Sequence, residues 1–251
     1  MEIIEKIKNN PKFINSITII FFIYFCLFLL FGYKIFPSFS FTIGNIILPS
    51  FQTTQIFIVF PLILFIAYIL FVRKGLIRWQ DLGLNMGKKG LSSTIALGLL
   101  GGLVMILYNY LVTSHFILQQ QIVANFLEKC CFAPIWEEFF NRVLFLTLIE
   151  IAIIGLLNKY YFENPKYKNE ISESTRRFDL FGFYSLVIFI GAMWFVWWHG
   201  IWESGNILLG GIVMGIVYLR TRSIIAPMIV HSMSNFVTGG FLFLLIQSLG
   251  G

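Results

Sequence analysis

Long uninterrupted runs of apolar residues constrain this chain more than any other feature of it. The clearest are Phe13–Tyr33, Thr53–Val72, Leu91–Val112, Phe139–Leu157, Leu180–Trp198 and Ile224–Leu249, with a shorter run, Ser204–Leu219, between Glu203 and Arg220. About 20 such residues cross the hydrocarbon of a bilayer as a helix. Within lipid, a backbone satisfies its own N–H and C=O groups only as a helix or a closed barrel. The expected fold class is therefore all-α: a polytopic transmembrane helical bundle of about 7–8 membrane-spanning helices. An eighth element is expected within Phe36–Gln52 or His115–Leu127, which are apolar but broken by Pro, Gly or Gln. Composition agrees, with 58% hydrophobic and only 12% charged residues, against about 25% charged in soluble domains. One integral membrane domain over residues 1–251 is expected, since the longest polar stretch, Asn158–Asp179, is too short to fold alone.

The net charge of +6 could suggest nucleic acid, but its placement argues for a membrane. Of 18 Lys and Arg, 15 lie at the N-terminus, in Arg73–Lys89, in Lys159–Arg177, and at Arg220 and Arg222. With seven spans all four segments fall on one side, which is the positive-inside asymmetry. The N-terminus is then expected in the cytoplasm and the C-terminus outside, with the lipid bilayer as partner and no nucleic acid. The first run follows Glu2 and Glu5 and has no small-residue cleavage site after it, so it is expected to remain as a span. Cys26, Cys130 and Cys131 make no disulfide framework and no metal spacing. Trp194, Trp197, Trp198 and Trp202 read as an interfacial aromatic belt.

Ionisable groups inside spans are costly and mark function by default. The densest group is Pro134-Ile-Trp-Glu137-Glu138-Phe-Phe-Asn141-Arg142. Glu138 and Arg142 are one helical turn apart and can pair, whereas Glu137 lies about 100° around the helix and can face a cavity. Phe195 and His199 repeat the one-turn spacing near the end of the next long run. His231 and Asn235 repeat it again inside an uncharged run, where two stacked polar groups need a partner or a wet cavity. Glu150 has no evident partner and is given no role, and His115 is read as structural. One shared polar cavity accounts for these residues most economically.

There is no Ser-His-Asp order, no plausible activated Ser or Cys, and no H-E-x-x-H helix. A carboxylate with imidazoles and an amide suits direct attack by an activated water. The Glu would be the base, and hydrogen-bond donors would stabilise a tetrahedral oxyanion.

Glu137-Glu138-x-x-x-Arg142, Phe195-x-x-x-His199 and His231-x-x-x-Asn235 resemble the three ordered motifs of the CPBP family. This family comprises CAAX-type intramembrane peptidases and the bacterial Abi proteins linked to bacteriocin processing and self-immunity. The stretch Gly215–His231 is similar to the family's approach to its last motif, except that Arg222 stands where a Gly is expected. The resemblance covers about residues 90–240. It implies an intramembrane endopeptidase acting on a membrane-associated or lipidated peptide or protein. Glu137 and His199 would activate water, His231 and Asn235 would form the oxyanion site, and Glu138, Arg142 and Phe195 would support and orient them. It implies no cofactor, although two His and a Glu are also residue types that bind zinc. A bacterial plasma membrane is the expected location.

Two other readings stay open. A non-catalytic membrane scaffold or self-immunity protein could use the same fold, though it need not keep Glu137 and both His. A proton-coupled transporter would call for internal repeats, and none is visible. One tension is internal to the sequence: straight helices would put Glu137 and His199 near the outer face, but His231 roughly 13 Å in from the opposite end of its run.

Overall fold

The computed structural model describes residues 10, 12–32, 35, 38, 40–43, 46–48, 50–112, 126–157, 161, 164, 172–199, 204–239 and 241. The described residues are mostly helical: α1 (Lys12–Gly32), α2 (Phe51–Val72), α3 (Leu91–Val112), α4 (Leu127–Leu157), α5 (Glu173–His199), α6 (Ser204–Thr221) and α7 (Ile225–Thr238). Five of them, α1 to α5, are long and apolar enough to cross a membrane. α6 is a shorter apolar helix, and α7 has 14 residues, about 21 Å at 1.5 Å per residue. Between α1 and α2 the chain departs from an all-helical plan. Phe41–Ile43 (β1) and Ile46–Leu48 (β2) pair antiparallel, so part of the Phe36–Gln52 stretch is a small hairpin. The rest of the second candidate, His115–Leu127, lies almost wholly outside the described residues, as do His115, Trp202 and the final part of the last apolar run.

α4 forms the core. Of its apolar window, 56% is buried, against 28% for each of the other four long helices. It begins at Leu127, well before the Phe139 expected from hydropathy, because Glu128, Lys129, Pro134 and Glu137 interrupt the apolar pattern without ending the helix. Pro134 removes one backbone donor and crowds the preceding turn. The chain meets it with a wider π-helical stretch over Leu127–Phe132. α2 uses the same device, with π-helical Gln55–Val59 ahead of Pro61. A second π-helical stretch in α4, Phe139–Leu146, follows immediately after the glutamate pair.

Aromatic rings join α1 to α4. Phe140 stacks on Phe21 at 5.4 Å between centroids and on Phe28 at 6.0 Å. Trp194 and Trp198 also turn inward: Trp194 stacks on Phe145 at 4.3 Å, and Trp198 meets Phe28 edge-on at 4.6 Å. Among the described tryptophans of that cluster, only Trp197, 65% exposed, faces outward as a belt residue would. α3 meets α7 through glycines. A Cβ at Gly101 would lie 2.8 Å from Val230 Cγ2, and one at Gly98 would lie 3.0 Å from the Ala226 carbonyl. Small residues of this kind are what let membrane helices approach closely. The opposite face of α3 presents Leu99, Leu103 and Leu107 outward, as a lipid-facing stripe.

The turn from α6 to α7 positions the last motif. Arg222 adopts a left-handed φ of 56°, strained for a residue with a side chain. Its guanidinium makes a bidentate bond to Glu150, which is completely buried in α4. Asn85 Nδ2 donates to the Arg222 carbonyl at 2.7 Å, and Ser223 Oγ donates to the Asn85 carbonyl at 2.6 Å. Glu150, without a role in the sequence, is the anchor of this turn.

Candidate active site

Glu137, Glu138, Asn141 and Arg142 project from the middle of α4. Glu137 is ten residues from the start of the helix, or about 15 Å along it. That depth removes the tension between the motifs, because the charged pair does not sit at a helix end. π-Helical stretches of the kind that follows it often occur at functional sites.

Glu138 is fully buried and held from two sides. Arg142 Nε donates to its Oε2 at 3.0 Å, as the one-turn spacing predicts. His231 Nδ1 lies 2.8 Å from its Oε1, a contact between α4 and α7 that no local spacing reveals. The Arg142 guanidinium carbon lies 4.9 Å from the centre of the Phe195 ring, a cation–π contact that suits a desolvated arginine. That ring also lies 4.4 Å from the His199 ring and meets the His231 ring edge-on at 5.8 Å. Phe195 thus wedges Arg142 and both histidines in place.

The hydrogen bonds assign the imidazole tautomers. His199 Nδ1 is 2.9 Å from the Phe195 carbonyl. A carbonyl only accepts, so Nδ1 carries the hydrogen and Nε2 of the neutral ring carries the lone pair. His231 is fixed the same way by Glu138, whose charge is held by Arg142. Both Nε2 atoms then converge on one carboxylate oxygen: Glu137 Oε2 lies 3.4 Å from that of His199 and 3.9 Å from that of His231. Three groups that accept hydrogen bonds in their neutral or ionised forms face one another.

Glu137 opens onto a cavity of about 190 Å³, which Asn141 and His199 also line. Gln52 and the aromatic side chains of Phe28, Phe51, Trp136, Phe140 and Trp198 form the rest of its wall. Gln52 at the start of α2 accepts from Trp136 Nε1 at 2.5 Å. The structure therefore brings six of the seven motif residues into contact around Glu137 and Glu138. The seventh, Asn235, donates through Nδ2 to the Lys129 carbonyl at 2.7 Å and so ties α7 to the first turn of α4. Gln52, Asn141 and Trp198 were not read as site residues from sequence. Asn141 had a signal, as a polar amide one turn from Glu137 inside an apolar span; Trp198 stood in a tryptophan cluster read as an interfacial belt, and Gln52 had none. Among the described residues, no group of three His, Cys, Asp or Glu side chains is arranged to hold a metal ion.

An integral membrane helical bundle with a buried glutamate–histidine centre is the class that fold and site define. Within it, the family model described as type II CAAX prenyl endopeptidase Rce1-like matches residues 119–237, a segment that contains every motif residue above. Over those 119 of its 251 residues the chain is similar to that protease family. No curated protein and no solved structure matches the chain.

Proposed function

We propose that this protein is a glutamate-dependent intramembrane endopeptidase that hydrolyses a peptide bond in a membrane-associated or lipidated peptide or protein. The observation that carries this reading is the convergence of two imidazole Nε2 atoms on Glu137 Oε2 beside a cavity. A water bound between Glu137 and His199 gives a proton to the carboxylate as its oxygen attacks the scissile carbonyl. The C–O bond forms, negative charge collects on the carbonyl oxygen, and the C–N bond then breaks as the proton passes to the leaving nitrogen. His231 and the second amide hydrogen of Asn235 are assigned to the oxyanion. Losing one such donor typically costs about 10²–10³ in rate. Glu138 and Arg142 keep His231 oriented. The reaction as assigned needs no metal, so chelators should leave it unchanged.

Placement in the membrane follows the charge asymmetry: seven or eight spans in a bacterial plasma membrane, with the N-terminus in the cytoplasm and, for seven, the C-terminus outside. Bacteriocin processing and related self-immunity is one setting that suits such an enzyme.

The deciding experiment expresses wild type and Glu137→Gln at matched levels in a host lacking the gene and compares membrane and secreted peptides by mass spectrometry. Fragments absent only from the variant establish proteolysis and identify the bond cut. Identical peptide sets, together with full rescue of a deletion phenotype by the variant, would replace the enzyme with a scaffold or immunity protein.

A further inference from the structure

Asn141 is 4% exposed, lines the cavity beside Glu137, and sits one turn further along α4. Its Nδ2 donates to the Glu137 carbonyl at 2.8 Å. Because that carbonyl can only accept, the amide cannot be flipped: nitrogen must face the backbone and Oδ1 must point the other way. Oδ1 is buried and has no hydrogen-bond partner among the described residues. A buried acceptor without a donor is unfavourable, and buried carbonyl oxygens are normally paired.

The chemistry of the neighbours selects its partner. Glu137 Oε2 and His199 Nε2, 3.4 Å apart, already compete for the protons of the hydrolytic water. Gln52 Oε1 is taken by the Trp136 indole. A peptide entering this cavity brings main-chain N–H groups that lose their water and need an acceptor. Asn141 lines that wall, and its Oδ1 is an acceptor without a donor among the described residues.

We propose that Asn141 is a substrate-binding residue whose Oδ1 accepts a hydrogen bond from a main-chain N–H of the bound peptide next to the scissile bond. This rests on the peptidase reading of the same site and extends it. The enzyme would require a secondary amide at one defined position near the cut, and would discriminate there against proline and other residues lacking an N–H.

The test uses the full-length protein in detergent and a synthetic peptide spanning the bond found by the Glu137→Gln comparison. In a set of analogues, each backbone amide near that bond is replaced in turn by an ester, which removes one N–H and little else. At one position the ester should lower wild-type kcat/KM by about 10- to 100-fold, the range expected when a buried acceptor loses its donor. Asn141→Leu should be slow on the parent peptide and show no further loss with that ester. Asn141→Gln keeps the acceptor and should retain the ester penalty, so it reports even if the leucine variant unfolds. An ester penalty of equal size in wild type and Asn141→Leu, or a flat ester scan alongside cleavage that still depends on Glu137, overturns the proposal and leaves the peptidase reading intact. Cleavage that does not depend on Glu137 overturns both.

Discussion

Glu138 and Glu137 are adjacent in sequence and opposite in their demands. Glu138 carries no exposed surface and neutralises Arg142 while fixing His231, so its loss strands a buried cation. Removing one partner of a buried pair typically costs about 3–5 kcal/mol. Glu138→Gln should therefore lower the thermal midpoint in detergent and the amount of protein in the membrane. Glu137→Gln removes a charge whose ion-pair partners among the described residues are the two imidazoles, and should leave both measurements near wild type while ending cleavage. The Glu150–Arg222 pair gives a second test at this scale. Arg222→Gly relieves the left-handed backbone but leaves Glu150 buried without a countercharge, and should destabilise by about the same amount. Adding Glu150→Leu to Arg222→Gly should recover most of the loss, because a buried ion pair can often be replaced by apolar groups at little cost. Thermal unfolding of the two single variants and the double variant decides it.

At the scale of elements, α4 and α7 carry the centre, and their spacing is set by a third helix. α7 rests on the glycine face of α3, where side chains at Gly98 and Gly101 would meet α7 within van der Waals distance. Gly101→Leu should force the helices apart at about 1–3 kcal/mol, and cleavage should fall more than stability suggests, since His231 moves with α7. Leu103→Ala, on the outward face of the same helix, should change stability by less than about 0.5 kcal/mol. Equal effects from the two substitutions would mean that the α3–α7 contact does not position the site. The two π-helical stretches of α4 belong to the same account. One admits Pro134 into the middle of a 31-residue helix, and the other follows the glutamates directly.

For the whole molecule, the orientation proposed from the segregation of Lys and Arg is open to a labelling test. A cysteine introduced at Lys74, in the exposed turn after α2, should react with a membrane-impermeant maleimide only when the cytoplasmic face is opened. It should be introduced into a chain whose exposed Cys26 has been replaced. Reaction in intact cells would invert the assigned orientation. The protein should also stay with the membrane through alkaline carbonate extraction, as expected of a bundle whose apolar helices face lipid.

The sequence by itself determined the membrane class, most of the helices, and the pairs one turn apart. Glu138 with Arg142, Phe195 with His199, and His231 with Asn235 are legible because a helix places i and i+4 on one face whatever surrounds it. Hydropathy misjudged where α4 begins, because a helix packed inside a bundle tolerates prolines and charges that an average over apolar residues reads as its end. Only the tertiary structure decided that Glu138 holds His231, that Glu150 holds Arg222, that Trp198 faces the cavity as well as Phe28, and that Asn141 lines the same cavity beside Glu137. Each of these joins residues from different helices or depends on which way a side chain turns in a shared cavity. Such contacts are set by how the helices pack, and no spacing along the chain encodes them.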